Sequence, residues 1–255
     1  MLLAFDIGNT SVKAALFDGE EIASNWGLKS DTALTADDYG AQLIRLLRAA
    51  QRNPERISGV ALCSVVPGLT DALTGACRGY IGPEPFVVES GTPTPVTSEY
   101  DRALGVDRLM AVVGAAGHYG PGPLVVVDLG TAVKIDALNA AGVHVGGAIA
   151  PGIGIAVEEM FERTARLSHT TFHQPLKAVG GSNAAAIDSG VILGFAGMVN
   201  GMVARFSKEL GSPVRVVATG GWAPRLADEC KFDVLDANLT VKGVRIVYEM
   251  NRATG

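Results

Sequence analysis

Two stretches of the chain repeat one pattern of apolar and polar positions. Leu2-Leu3-Ala4-Phe5 is an apolar run ending in Asp6-Ile7-Gly8-Asn9-Thr10; Ser11 to Phe17 forms a second run, closed by Asp18-Gly19. Leu124-Val125-Val126-Val127 leads likewise into Asp128-Leu129-Gly130-Thr131-Ala132, then Val133 to Leu138, then Asn139-Ala140-Ala141-Gly142. Apolar run, acid, glycine turn, second run and closing turn together spell a β-hairpin. The copies lie about half a chain apart, which predicts two lobes of common ancestry, residues 1–118 and 119–255. Between them the chain alternates as α/β proteins do. Helices are expected over 35–51, with Thr35-Ala36-Asp37-Asp38 as cap, and over 67–79, 105–117, 154–167, 183–209, after Gly221, and 239–251. Further strands are expected over 59–66, 143–149, 214–218 and 232–235; the unbroken apolar run at 59–66 is what a buried parallel strand requires.

Composition narrows the class. The chain has 255 residues, 48% hydrophobic and 18% charged, with a formal charge of -5. That supplies a core and no basic stripe, so nucleic acid is not an expected partner. Cys63, Cys77 and Cys230 are odd in number and widely spaced, which fits neither a disulfide framework nor a zinc site. The N-terminus lacks a basic region and Asp6 interrupts its apolar run, unlike a signal peptide. The apolar stretch Ala184 to Ala204 contains Asp188, Asn200 and four glycines, a poor bilayer span. A soluble, cytoplasmic protein is expected, with no membrane partner.

The candidate chemistry sits in the turns. An acid at the end of a buried strand, before a glycine turn, can hold hydrated Mg²⁺ while backbone N–H groups face phosphate oxygens. Asp6-Ile7-Gly8-Asn9-Thr10 fits, and its repetition at Asp128 strengthens the case. Ala218-Thr219-Gly220-Gly221 follows a third apolar strand and opens a helix, where a nucleotide can approach. No GxxxxGK[ST] loop and no strand-linked GxGxxG are present. Gly105-Val106-Asp107-Arg108 admits two readings: a helix start with a surface arginine, or a general base beside an anion-gripping guanidinium. His169 and His173 are four apart in a loop-like segment that does not read as a metal site, and no Ser/His/Asp arrangement is visible. Trp222, after the glycine pair, reads as core or as a stacking surface. Gly190, Gly194, Gly197 and Gly201 share one side of a long helix, which predicts close helix packing or a dimer interface.

In order along the chain, Asp6-Ile7-Gly8-Asn9-Thr10, Cys63-Ser64-Val65-Val66-Pro67, Gly105-Val106-Asp107-Arg108, Asp128-Leu129-Gly130-Thr131-Ala132, Gly146-Gly147-Ala148-Ile149-Ala150-Pro151-Gly152 and Ala218-Thr219-Gly220-Gly221 resemble type III pantothenate kinase, the family that includes Bvg accessory factor proteins. The resemblance covers nearly the whole chain. It implies two ribonuclease H-like lobes of the acetate kinase/hexokinase/actin class with a nucleotide cleft between them. It also implies a homodimer that phosphorylates pantothenate with ATP and Mg²⁺, the first step towards coenzyme A. By that resemblance Asp6, Ile7, Gly8, Asn9, Thr10, Ser11, Val12 and Lys13 form a phosphate loop, with Asp6 also a metal ligand. Thr131 contacts ATP, Asp128 binds a monovalent cation (K⁺ or NH₄⁺), and Asp107 is the proton acceptor. Tyr100, Gly105, Val106, Asp107 and Arg108 contact substrate, and Asn183 falls at a further substrate position.

Four positions depart from the family pattern. Val133 and Lys134 stand where two threonines are usual, and Asn183 where a threonine is. Lys13 replaces a residue that is commonly uncharged. These changes leave open a catalytically impaired homologue that binds nucleotide or regulates, or a kinase for another small hydroxylated acid. Lys134, a few residues from Asp128 across the hairpin, either substitutes for the monovalent cation and makes it dispensable or points to solvent.

Overall fold

The computed structural model of the protein describes residues 1–100, 104–120, 122–164, 172–211 and 213–252. The chain divides into two compact units. One comprises Met1–Val96, Tyr100–Gly117 and the C-terminal stretch from Asn238; the other comprises Thr97–Glu99 and His118–Ala237.

The first unit is built from strands β1 (Leu2–Ile7), β2 (Ser11–Asp18), β3 (Glu21–Lys29), β4 (Gly59–Ser64) and β5 (Pro85–Val88). Its helices are α1 (Ala36–Ala49), α2 (Pro67–Tyr80), most of α3 (Val106–Tyr119), and α7 (Leu239–Arg252). The sheet order is β3-β2-β1-β4-β5, with β2 antiparallel to both neighbours and β1, β4 and β5 parallel. In the second unit, β6 (Leu124–Leu129), β7 (Ala132–Leu138), β8 (His144–Pro151), β9 (Arg215–Thr219) and β10 (Val234–Leu235) carry α4 (Ile153–Arg163), α5 (Asn183–Leu210) and the short α6 (Ala223–Leu226). Its order, β8-β7-β6-β9-β10, repeats the first sheet strand for strand, and β7 is again the antiparallel member. Both units are ribonuclease H-like. The parallel neighbours are joined through helices because a parallel pair cannot be closed by a tight turn.

Local chemistry starts and stops the helices. Thr35 caps α1 by accepting from the Asp38 N–H while the Asp38 carboxylate accepts from Thr35, a reciprocal capping box. The same Thr35 hydrogen bonds hold the Asp38 carboxyl below its usual range. Pro67 opens α2, where its missing N–H costs nothing. Ser182 caps α5, and Gly211 ends it at φ 74°. Each unit has its own apolar cluster: Leu3, Phe5, Ile7, Leu16, Tyr39, Leu43, Leu62 and Leu73 in the first, and Val125, Val127, Leu129, Ile135, Ile187, Val191 and Val199 in the second.

The structure corrects several expectations. The 118/119 boundary does not hold, because α7 packs on β1 and β4 and so returns the end of the chain to the first unit. It seats against α3 through two glycines: a Cβ on Gly243 would lie 1.9 Å from the Met110 carbonyl oxygen, and one on Gly114 2.2 Å from that of Leu239. Strands β3 and β5 were not foreseen. The edge strand β3 has no fully buried residue and so no apolar signature, and β5 is only 4 residues long. Helix α4 ends at Arg163; its expected continuation to 167 and His169 reach into residues 165–171, outside those described. The glycine stripe of α5 does not pack against the described residues: among them, Cβ atoms at Gly190, Gly194 and Gly197 would meet nothing within 4 Å. That helix is long and apolar enough to cross a membrane. Its opposite face, with Ile187, Val191, Ile192, Ala196 and Val199, nevertheless lies in the second unit's core.

Candidate active site

The first turn is held open by backbone bonds. The Gly8 N–H donates to the Ser11 carbonyl at 3.0 Å, and the Ser30 hydroxyl, just beyond β3, donates to the Gly8 carbonyl at 2.6 Å. The Ser30 N–H reaches the Thr10 carbonyl, and the Val65 N–H, leaving β4, reaches that of Ile7. Asn9, Thr10 and Ser11 are therefore presented to solvent on a fixed frame, with Asp6 half-buried at the end of β1. Ile7 and Val12 point the other way, fully buried in the core. A ligand meets them only through their backbone.

The second turn is built to the same plan, one residue shorter. The Gly130 N–H donates to the Ala132 carbonyl, and the Trp222 N–H, leaving β9, donates to that of Leu129. The latter matches the Val65–Ile7 bond of the first unit. Three glycines crowd this turn. A Cβ on Gly130 would sit 3.2 Å from Asp128 Oδ1, one on Gly152 2.0 Å from the Thr131 carbonyl oxygen, and one on Gly220 (φ 94°) 2.4 Å from the Leu129 carbonyl carbon. The glycines of the Gly146–Gly152 and Gly220-Gly221 motifs thus include two that admit backbone against backbone at the end of β6. Thr131 is exposed at the tip and Asp128 half-buried at the base.

In both hairpins the strand-end acid faces a lysine. Asp6 is registered opposite Lys13, and Asp128 opposite Lys134. Lys134 Nζ lies 2.9 Å from Asp128 Oδ2. Val133, the other departure on this strand, is 1% exposed and packs in the core, so its methyls lie on the face away from Lys134.

Asp107 occupies the first turn of α3, where the helix N-terminus favours a carboxylate. Gly105 makes room for it: a Cβ there would lie 2.7 Å from Asp107 Oδ1. Arg108 is 6% exposed, which rules out the surface-arginine reading, and its guanidinium lies 4.9 Å from the ring centroid of Tyr100. A buried guanidinium stacked on an aromatic ring is preorganised to meet a planar anion. Val106 borders a cavity at the carboxyl ends of β4 and β5 that Ser64, Asp71 and Glu89 also line. Tyr100, Gly105, Val106, Asp107 and Arg108 are therefore one local cluster. Asn183 stands at the start of α5, on the rim of an apolar cavity between α4 and α5 lined by Val157, Met160, Ile187 and Phe195.

The comparisons with known proteins decide the family. A family model described as "Type III pantothenate kinase" matches residues 2–205. The chain is 40% identical over 255 residues to a type III pantothenate kinase of Dehalococcoides mccartyi, covering 99% of this chain and 98% of that one. It is 41% identical over 254 residues to another from Moorella thermoacetica, covering 98% and 100%. The chain belongs to the type III pantothenate kinase family. Among solved structures, a Baf family protein from Campylobacter jejuni superposes with a TM-score of 0.62 at 20% identity, over 98% of this chain and 99% of that one, which supports the fold.

Several structural partners of this type III pantothenate kinase family member were not legible in its sequence. Ser30 braces the first turn but carries no motif of its own. A buried chain of polar groups was also missed: His144 Nε2 lies 2.9 Å from Asp136 Oδ1 and its Nδ1 2.8 Å from Ser98 Oγ. The expectation of no Ser/His/Asp arrangement is thereby corrected. These residues meet only because the Thr97–Glu99 segment bonds to β8, its Glu99 N–H to the His144 carbonyl at 2.9 Å. The imidazole is fully buried, and its hydrogen bonds pin that segment to the sheet. Trp222 lies against the second unit's core, edge-on to Phe172 at 5.7 Å.

Proposed function

We propose that this protein transfers the γ-phosphoryl group of ATP to the primary hydroxyl of pantothenate, the step that opens coenzyme A synthesis. The observation that carries the proposal is full-length family membership combined with an intact Asp107-Arg108 pair beside Tyr100. Phosphoryl transfer asks a protein for positioning and charge neutralisation more than for covalent chemistry. Asp107 takes the hydroxyl proton as the alcohol attacks, and Arg108 and Tyr100 orient the substrate's anionic end. Asn9 and Thr10, with the backbone N–H groups at the solvent-facing tip of the first turn, face phosphate oxygens, and the family resemblance adds the Thr131 hydroxyl. Bound Mg²⁺ would neutralise charge on those oxygens. The half-buried Asp6 carboxylate beside a solvent-facing glycine turn suits it, because a hydrated hard cation favours such an oxygen donor.

A homodimer in the cytoplasm belongs to the same proposal. Its support is the open glycine face of α5, together with the exposed Ile155 on α4, at 47%. The impaired-homologue alternative loses one of its three grounds, since Val133 is a core residue. The test is ADP release by purified protein with Mg-ATP and pantothenate. Asp107→Asn should lower kcat by about 10²–10⁴-fold, the usual worth of a general base, with little change in ATP affinity. Equal turnover in both proteins would remove Asp107 from the chemistry, and none in wild type would point to another acceptor or to binding alone.

A further inference from the structure

The duplicated hairpins repeat more than the acid and the glycine: each places a lysine directly across the ladder from the acid, Lys13 from Asp6 and Lys134 from Asp128. In the second unit the pair is closed. The 2.9 Å contact is a charge-assisted hydrogen bond, and the two side chains are only 18% and 21% exposed. Both are fixed by their frames. Val133 and Ile135 are 1% and 2% exposed on the core side of β7, so the strand's alternation holds Lys134 on the opposite face, the one its ladder partner Asp128 shares. Gly130 leaves just enough space for the Asp128 carboxylate beneath it.

This geometry does not fit the monovalent cation that the family resemblance places on Asp128. Oδ2 already accepts from an ammonium, on a carboxylate that is itself only 21% exposed. A second cation on the same carboxylate would sit within a few ångströms of Nζ. Two like unit charges that close repel strongly even where the effective dielectric is well above that of a dry interior. A lysine ammonium carries the same single charge as K⁺ and is covalently attached, so no concentration of salt is needed to fill the position.

We propose that Lys134 is a tethered monovalent cation at the second turn, and that this protein binds ATP and turns over without K⁺ or NH₄⁺. The ligand, ATP, is taken from the function proposed above. The cation claim is tested separately. Crystals of wild type and of Lys134→Thr are soaked in Tl⁺, and the anomalous signal at Asp128 is read. The expected result is no Tl⁺ peak in wild type and a peak in the variant. A peak at Asp128 in wild type overturns the proposal, whatever the protein's substrate. In solution, affinity for a fluorescent ATP analogue is measured in choline chloride and in KCl at equal ionic strength. Wild type should change less than twofold. Lys134→Thr should bind at least tenfold more weakly in choline and recover in KCl or NH₄Cl, with Lys134→Met, which keeps the apolar stem, behaving alike. A tenfold gain for wild type in KCl, or variants that match wild type in choline, refutes it. Failure to bind ATP in every salt counts against the proposed function, while the Tl⁺ result still decides the cation.

Discussion

Gly152 offers the sharpest perturbation of the second turn. It is the residue before α4, with φ -68° and ψ 155°, a conformation open to any amino acid. Alanine there meets no backbone strain, only contact. Its Cβ would lie 2.0 Å from the Thr131 carbonyl oxygen, 2.6 Å from the Thr131 carbonyl carbon and 2.8 Å from the Gly130 oxygen. Relieving the first contact to about 3 Å moves the turn or the start of α4 by about 1 Å, a misplacement that can cost about 10²-fold in rate. Overpacking of this kind also costs about 1–3 kcal/mol of stability. Gly154, two residues on in the same helix, is the control: its Cβ would meet nothing within 4 Å. Gly154→Ala should leave kinetics unchanged and gain up to about 1 kcal/mol from helix propensity. The assay is kcat and KM for ATP at saturating pantothenate, with urea unfolding in parallel. If Gly152→Ala stays within twofold of wild type in kcat/KM and unfolds at the same urea concentration as Gly154→Ala, the backbone contact does not set the turn.

Two further outcomes follow from burial. Burial pushes the Cys77 thiol up to about 12 and, with help from the Glu229 charge, that of Cys230 to about 11; Cys63 is fully enclosed. Since the thiolate is the reactive form, an aromatic disulfide reagent at pH 8 should label none of the three rapidly in the native state and all three in denaturant; fast native labelling would contradict the packing. On α5, Gly194→Glu places a charge on the open glycine face. It should shift the dimer proposed above towards monomer in sedimentation without loss of helix content, and an unchanged dimer would put the interface elsewhere.

Much of the protein was legible because its signals are local. The hairpins announce themselves through apolar runs ending in an acid and a glycine, and the two copies together implied the duplication that the two matching sheets display. The Thr35 cap and the helix starting at Pro67 needed only neighbours within one turn. Lys134 could be placed near Asp128 from the hairpin alone, but not its direction. That depended on which face of β7 the core covers, and burial of Val133 and Ile135 settles it.

What escaped depends on residues far apart in the chain. The polar chain through Ser98, Asp136 and His144 needs a segment 46 residues away to bond to β8. The return of α7 to the first unit needs Gly243 and Gly114 to touch across more than half the chain. Likewise, no pattern could show that Gly152 and Gly220 both press on the Asp128 turn, or that the α5 glycines face open space. Periodicity and turn preference act over a few residues, so the elements, the repeated turns and the chemical types at their tips are written in local order along the chain. The tertiary structure alone decided which backbones touch, which lysine meets which acid and which glycine is needed for space, because those follow from packing of elements whose separation along the chain carries no local signal.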